Sequence, residues 1–323
     1  MSKFLHRLDD AANLLVDGAM GTELFTRGLT AGDPPEMWNV DRPDAIESVH
    51  AGYIEAGSDI ILTNSFGGTA FRLALHRLED RVHELNERAA QIARRAADAS
   101  DRPVVVAGSI GPSGELLEPL GAMTPDGARA AFAAQAAGLV AGGADVLWVE
   151  TMSSLDEVDA AVRGIREVTD VPIAVTMSFD TASRTMMGVT GQQAAEHLVE
   201  LGVAALGANC GNNVADTERA AKQLVASAGS TPVIVKANAG IPVFEGDALT
   251  YSGSPEVMGA HVARMVELGV QIIGGCCGTS TEHLGYMRQV LDGVVEPPAI
   301  EAPGPDRDEV APAGARRSRR RRG

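Results

Sequence analysis

Gln271-Ile272-Ile273-Gly274-Gly275-Cys276-Cys277-Gly278-Thr279 is a short apolar run that stops in glycines and two adjacent cysteines. A run of this length bounded by turn residues reads as a parallel strand buried on both faces. Reactive residues directly behind such a strand are the pattern of an α/β fold whose site lies where the strands end. Upstream, the same pattern recurs. Leu14-Val16, Ile60-Thr63, Val104-Ala107, Val146-Val149, Ile173-Met177, Ala205-Ala208, Val233-Lys236 and Gln271-Ile273 make eight runs. Periodicity predicts helices over 43–56, 81–99, 125–141, 155–168, 191–201, 214–227, 255–268 and 281–291. Helix-ending glycines (Gly57, Gly142-Gly143, Gly202, Gly269) stand just before the next strand. Eight strand–helix units predict an α/β fold, a (β/α)8 TIM barrel.

That fold makes a demand the sequence meets. Unusual residues should follow the strands, and Asp17-Gly18-Ala19-Met20-Gly21-Thr22, Thr63-Asn64-Ser65-Phe66-Gly67-Gly68, Gly108-Ser109-Ile110-Gly111-Pro112, Glu150-Thr151, Asn209-Cys210-Gly211 and Asn238-Ala239-Gly240 do. A barrel gathers these on one rim, so Cys210 can meet Cys276 and Cys277, the other two of the chain's three cysteines.

The 323 residues are 45% hydrophobic but only 4% aromatic, so the core must be built from Ala, Val, Leu and Ile. The net charge is −16 even though six arginines fall among the last eight residues (Arg316, Arg317, Arg319 to Arg322). An acidic body argues against nucleic-acid binding by the fold. No stretch approaches the length of a membrane span. An odd cysteine count and a Met1–Asp10 segment without an apolar run lead us to expect a reducing, cytoplasmic setting. Residues 1–292 are expected to form the barrel, and 293–323, rich in Pro, Ala and Arg, a disordered tail.

Three strand-end thiolates among glycines favour a zinc site, one ion per chain, with an open fourth position at the C-terminal ends of the strands. Free cysteines packed as small hydrophobes and a vicinal disulfide are the alternatives. Adjacent side chains on a strand point to opposite faces, so Cys276 and Cys277 can share an ion only if the backbone leaves strand geometry. Three thiolates on Zn²⁺ leave a net charge of −1, a poor Lewis acid toward water. Such a site suits a fourth thiolate, which stays nucleophilic while its pKa falls. The implied reaction is alkyl transfer to a thiol.

Together with the Asp17–Thr22, Gly108–Pro112, Gly207–Gly211, Lys236–Gly240 and Gly274–Thr279 segments, this cysteine set resembles the homocysteine S-methyltransferase family over about Leu14 to Leu291. The family includes the betaine-using enzymes and the homocysteine barrel of methionine synthase. The resemblance implies that Cys210, Cys276 and Cys277 bind zinc, that homocysteine sulfur takes the fourth position, and that Asp17, Gly18, Thr63 and Glu150 hold its amino and carboxylate groups. Glu150 suits an ammonium on its own account, as an acid closing an apolar strand; a rim salt bridge is the alternative. Asn238 matches a position beside the zinc, and is equally readable as a turn residue.

The expected product is methionine, with homocysteine and a small methyl donor as partners. The donor expected is betaine or a related onium. Trp38 stands about where the animal betaine enzyme contacts its donor, and a Trp face can hold a quaternary ammonium; packing is its other reading. The Tyr that accompanies it there corresponds to Gly67 here, with Phe66 adjacent. The alternative is a barrel that presents homocysteine to a separate methylcobalamin (corrinoid) protein. A Lys236 Schiff-base lyase is a third reading, beside a structural role for that lysine. The sequence is compatible with a homo-oligomer. The seven histidines read as solvated or packing residues, and none is assigned to the site.

Overall fold

Each apolar run forms a strand in the computed structural model, which describes residues 2–245 and 248–300. In chain order the barrel strands are β1 (Leu14–Leu15), β2 (Ile60–Leu62), β3 (Val105–Ile110), β4 (Val146–Met152), β5 (Ile173–Met177), β6 (Ala205–Cys210) and β7 (Val233–Ala237). A hairpin follows, β8 (Pro242–Glu245) and β9 (Ala248–Tyr251), and then the last barrel strand, β10 (Ile272–Gly275). The sheet is parallel, ordered β1-β10-β7-β6-β5-β4-β3-β2. A parallel bridge between Val16 and Ile60 joins its two edges, which makes it a (β/α)8 barrel.

The eight predicted helices are present, at Pro43–Glu55, Val82–Asp98, Pro125–Ala141, Leu155–Val168, Gly191–Glu200, Val214–Ser227, Pro255–Leu268 and Thr281–Leu291. Strand alternation divides the core in two. Val105, Ala107, Ala174 and Ala205 face the barrel interior, where their small side chains leave room for the fully buried Trp148. Val104 and Val106 face the helix layer instead.

Several elements went unpredicted, among them short helices at Met20–Thr26, Trp38–Asp41 and Ala70–Ala74. A helix over Lys3–Asp10, capped by Ser2, buries Phe4 against the inward residues of β1, β2 and β3 and plugs the N-terminal end of the barrel. Phe4 and Leu8 lie one turn apart on the same face, a helical period that the sequence carries. The β8–β9 hairpin sits in the loop after β7, pairing Pro242 with Tyr251.

The N-terminal face is tied by Asp59. Its carboxylate accepts the Leu15 amide at 3.0 Å and pairs with Arg7 (2.9 Å), Arg288 (3.3 Å) and Arg102 (3.6 Å). One buried acid thus joins the plug helix, β1, β2 and the last helix. Beyond that helix, Ile300 accepts a bond from Arg264 Nη1 at 2.7 Å. Of the expected tail, residues 301–323 lie outside the described residues. Among the described residues no helix is long and apolar enough to cross a membrane.

Candidate active site

Register brings the cysteines together. Cys210 closes β6 and Gly275 closes β10, and both pair with Ala237 of the strand between them. Cys276 and Cys277 are the next two residues, and the three sulfurs lie within 4.8 Å of one another. The backbone leaves strand geometry there, as two adjacent ligands require. Cys276 closes a turn by accepting the Thr279 amide at 3.1 Å, and Gly278 takes φ +78°. A Cβ on Gly278 would also lie 2.2 Å from the Tyr251 ring, so this glycine answers both to conformation and to contact. Cys210 has φ +62°, an uncommon value for a residue with a Cβ. Such strain persists where surrounding structure holds it, and it clusters at functional sites.

Neighbouring amides do the holding. Asn238 donates to the Gly211 carbonyl (2.7 Å) and accepts the Cys277 amide (3.0 Å), bracing the two cysteine loops against each other. Asn209 donates to Thr151 Oγ1 (2.7 Å) and approaches Cys276 Sγ at 3.8 Å. It accepts from the Thr151 amide and the Thr176 hydroxyl, which fixes Thr151 in its own positive-φ conformation. The Tyr251 ring packs against Gly278, beside Cys277, and its hydroxyl acts to lower the Cys277 thiol.

The donor set fits a soft divalent cation. Without one, the three thiols act on one another: hydrogen bonds from Cys210 and Cys276 pull the Cys277 thiol down, while Cys210 is pushed up by its bonds to the other two. One thiolate forms readily and the rest resist. A cation among the sulfurs removes that resistance.

Above the sulfurs lies a cavity of about 470 Å³, reached also by Asp17, Gly18, Thr63, Glu150 and Lys236. Four of the residues expected to hold homocysteine are therefore in one place, with Lys236 beside them. Lys236 Nζ lies 3.4 Å from Asp17 Oδ1, and the Leu62 amide donates to Asp17 Oδ2 at 2.6 Å. Burial pushes Asp17 up to about 6, against the pull of Lys236. Burial also raises Glu150, which accepts a bond from Ser109 Oγ at 2.5 Å. For Lys236, burial acts downward, but Asp17, Glu150 and Cys276 outweigh it and the net shift is upward. A lysine held as ammonium is a poor Schiff-base nucleophile. One ammonium thus faces two carboxylates and the thiol cluster, so this end of the cavity calls for another cation. Gly18 lies under it, where a Cβ would come within 2.3 Å of the Thr279 carbonyl. Thr63 Oγ1 accepts the Ser109 amide at 2.9 Å and bonds Ser65 at 2.6 Å.

Two expected residues stand elsewhere. Asn238 does not line the cavity; it braces the cysteines from behind. Trp38 is buried in the core, with the Arg42 guanidinium 4.1 Å from its ring centre, and the structure does not bring it to the cavity. His76, set aside in the sequence, does line the cavity. Ser109, Asn209 and Tyr251 went unassigned. The first two stand inside strand-end motifs, and that placement was the available signal. For Tyr251 there was none, because the hairpin that delivers it was not predicted.

A (β/α)8 barrel with a three-cysteine cluster that could hold a metal ion at the C-terminal ends of its strands, opening on an acidic cavity, places its chemistry where barrel enzymes keep their active sites. The chain belongs to the homocysteine S-methyltransferase family, whose model matches residues 14–291. It is 33% identical to methionine synthase of Mycobacterium tuberculosis over 296 residues and 34% identical to that of Mycobacterium leprae over 283. These matches cover 87% and 83% of this chain but 25% and 23% of the relatives, so the chain spans about a quarter of their length. Among solved structures it is similar to the homocysteine methyltransferase MmuM of Escherichia coli. The metallated form has TM-score 0.75 and 24% identity, covering 88% of this chain and 99% of that one. The oxidized form has TM-score 0.75 and 25% identity, covering 89% and 99%.

Proposed function

We propose that this barrel transfers a methyl group to the sulfur of homocysteine, giving methionine, with one zinc ion held by Cys210, Cys276 and Cys277. The observation that carries the reading is the meeting of three sulfurs within 4.8 Å at the floor of a cavity whose carboxylates outnumber its cations. Zinc, when bound there, lowers the pKa of an entering thiol and keeps its sulfur nucleophilic. Glu150 and Asp17 take the substrate ammonium, and Lys236 limits their mutual repulsion. Thr63 and the strand-end backbone at Gly18 complete the amino-acid site. The sulfur gives up its proton to solvent and attacks the methyl carbon in line. The sulfur–carbon bond forms as the donor's carbon–heteroatom bond breaks, and the donor keeps that electron pair as a neutral amine or thioether.

The donor proposed is betaine or a related onium compound. Methionine formation by the purified chain from homocysteine and betaine, without cobalamin, tests this. A second reading is favoured by the identity to two proteins named methionine synthase, of which this chain spans about a quarter. In it the barrel works with a separate methylcobalamin protein, and turnover would require that protein. We further propose a cytoplasmic setting, with 1–292 as the catalytic unit and 293–323 as a dispensable appendage.

A further inference from the structure

The cavity has a second charged end that the amino-acid site does not use. Glu36, in a short 3₁₀ turn over Pro35–Met37, lines the outer part with Phe66, Arg72 and His76. It is only 6% exposed, yet among the described residues it forms no ion pair. Its Oε1 accepts the Gly67 amide at 2.7 Å. A Cβ at position 67 would lie 2.8 Å from that oxygen, so a larger residue there would displace the carboxylate. The carboxylate therefore fills the place where a side chain at 67 would begin. Beside it, the Phe66 ring is 39% exposed and lines the same cavity.

Burial raises the Glu36 pKa, offset only in part by its amide bonds and by Arg72 and His76 nearby, so a cation joining it would stabilise the ionised carboxylate. A quaternary ammonium or a sulfonium has no N–H or S–H to donate, so it cannot be recognised by directed hydrogen bonds. It is recognised by an opposite charge in a low-dielectric site and by aromatic faces. Glu36 and Phe66 supply those two features in a cavity that also reaches the cysteines. Arg72 supplies the opposite sign at the same end, which suits a zwitterion with a carboxylate of its own.

Building on the proposed methyl transfer, we infer that Glu36, with Phe66, holds the cationic head of the methyl donor and selects onium donors over neutral molecules of the same shape. Trp38, with Arg42 stacked on it, has no part in this.

The test compares betaine with 3,3-dimethylbutanoate, which has the same outline without the positive charge. In zinc-loaded wild-type protein, calorimetry is expected to find betaine bound at least tenfold more tightly. Glu36→Gln should erase most of that difference, and in turnover it should raise the betaine requirement at least tenfold. The homocysteine requirement should move less than twofold, and zinc content and melting temperature should match wild type. Phe66→Leu should raise the betaine requirement two- to fivefold. A purely structural Glu36 would not change discrimination between two isosteres. If wild type uses betaine and Glu36→Gln discriminates as before, this inference is overturned while the proposed function stands. A wild type that neither binds nor uses any onium overturns both this inference and the onium reading of the donor.

Discussion

The two ends of the barrel treat a buried carboxylate in opposite ways. At the N-terminal end, Asp59 is surrounded by three guanidiniums and a backbone amide. At the C-terminal end, Asp17 and Glu150 share a single lysine, and Glu36 forms no ion pair among the described residues. The first arrangement is complete without a ligand and joins four elements of the chain. The second is short of positive charge. Barrels divide stability and catalysis between their ends in this way because strand ends at one face and helix-to-strand turns at the other are free to vary independently. An unmet charge marks the end that binds something.

Removing a cysteine should give the largest effect. Cys210→Ala, Cys276→Ala and Cys277→Ala are each expected to abolish methyl transfer, with loss of about one equivalent of zinc by metal analysis. A metal-free preparation with full activity would end the zinc reading.

The N-terminal end should respond in stability alone. Asp59→Ala leaves three arginines without their shared partner, and breaking a buried pair from one side costs about 3–5 kcal/mol. Denaturant unfolding should register that loss, while kcat below the new melting temperature stays within about twofold on the expectation that distant sites act independently. A fall in kcat with stability unchanged would mean that the two ends are coupled.

Glu150→Gln keeps the shape and removes the charge. A charge-assisted contact of about 1.5–3 kcal/mol is expected to go, a roughly ten- to hundredfold rise in the homocysteine requirement, with zinc content unchanged. If the betaine requirement rises instead, the substrate is held the other way round.

Asp17 gives a smaller, pH-dependent effect. Burial holds its folded pKa at about 6, above the ordinary aspartate value of 3.8. Its attraction for an ammonium is therefore present above pH 6 and fades as pH falls through it. In the ligand-free protein the sign reverses. The folded state holds the extra proton between about 4 and 6, so this group favours folding below that window and opposes it as pH rises. Homocysteine saturation should weaken below pH 6, and Asp17→Asn should remove that inflection. An unchanged inflection in the variant would assign it to another group.

The smallest effect is expected from deleting 301–323, which should leave turnover within about twofold. Cutting at 293 also removes the contact between Arg264 and Ile300, and should lower the melting temperature by a few degrees at most. Loss of turnover in the shorter truncation would make the arginine-rich segment part of the enzyme.

The sequence by itself determined the barrel and where its chemistry lies. All eight strands and eight outer helices were readable, because burial of a parallel strand on both faces leaves a continuous apolar run, and a barrel helix shows its own period. Cys210, Cys276, Cys277 and Glu150 were legible from one rule, that polar residues directly after a strand share a rim; Asp17 and Thr63 stood in strand-end segments but were singled out by the family resemblance. Local patterns carry no record of what a side chain meets across space, and tertiary structure decided those questions. Trp38 and Glu36 are two residues apart, yet one turns into the core beneath Arg42 and the other lines the cavity. Asn238 follows a strand as a ligand would, but both ends of its amide are spent on the cysteine loops. The β8–β9 hairpin is too short to announce itself, since four residues do not fix a period. Charge balance depends on distance and burial together. Only the folded chain could separate Asp59, fully partnered, from Glu36, which lacks an ion-pair partner among the described residues.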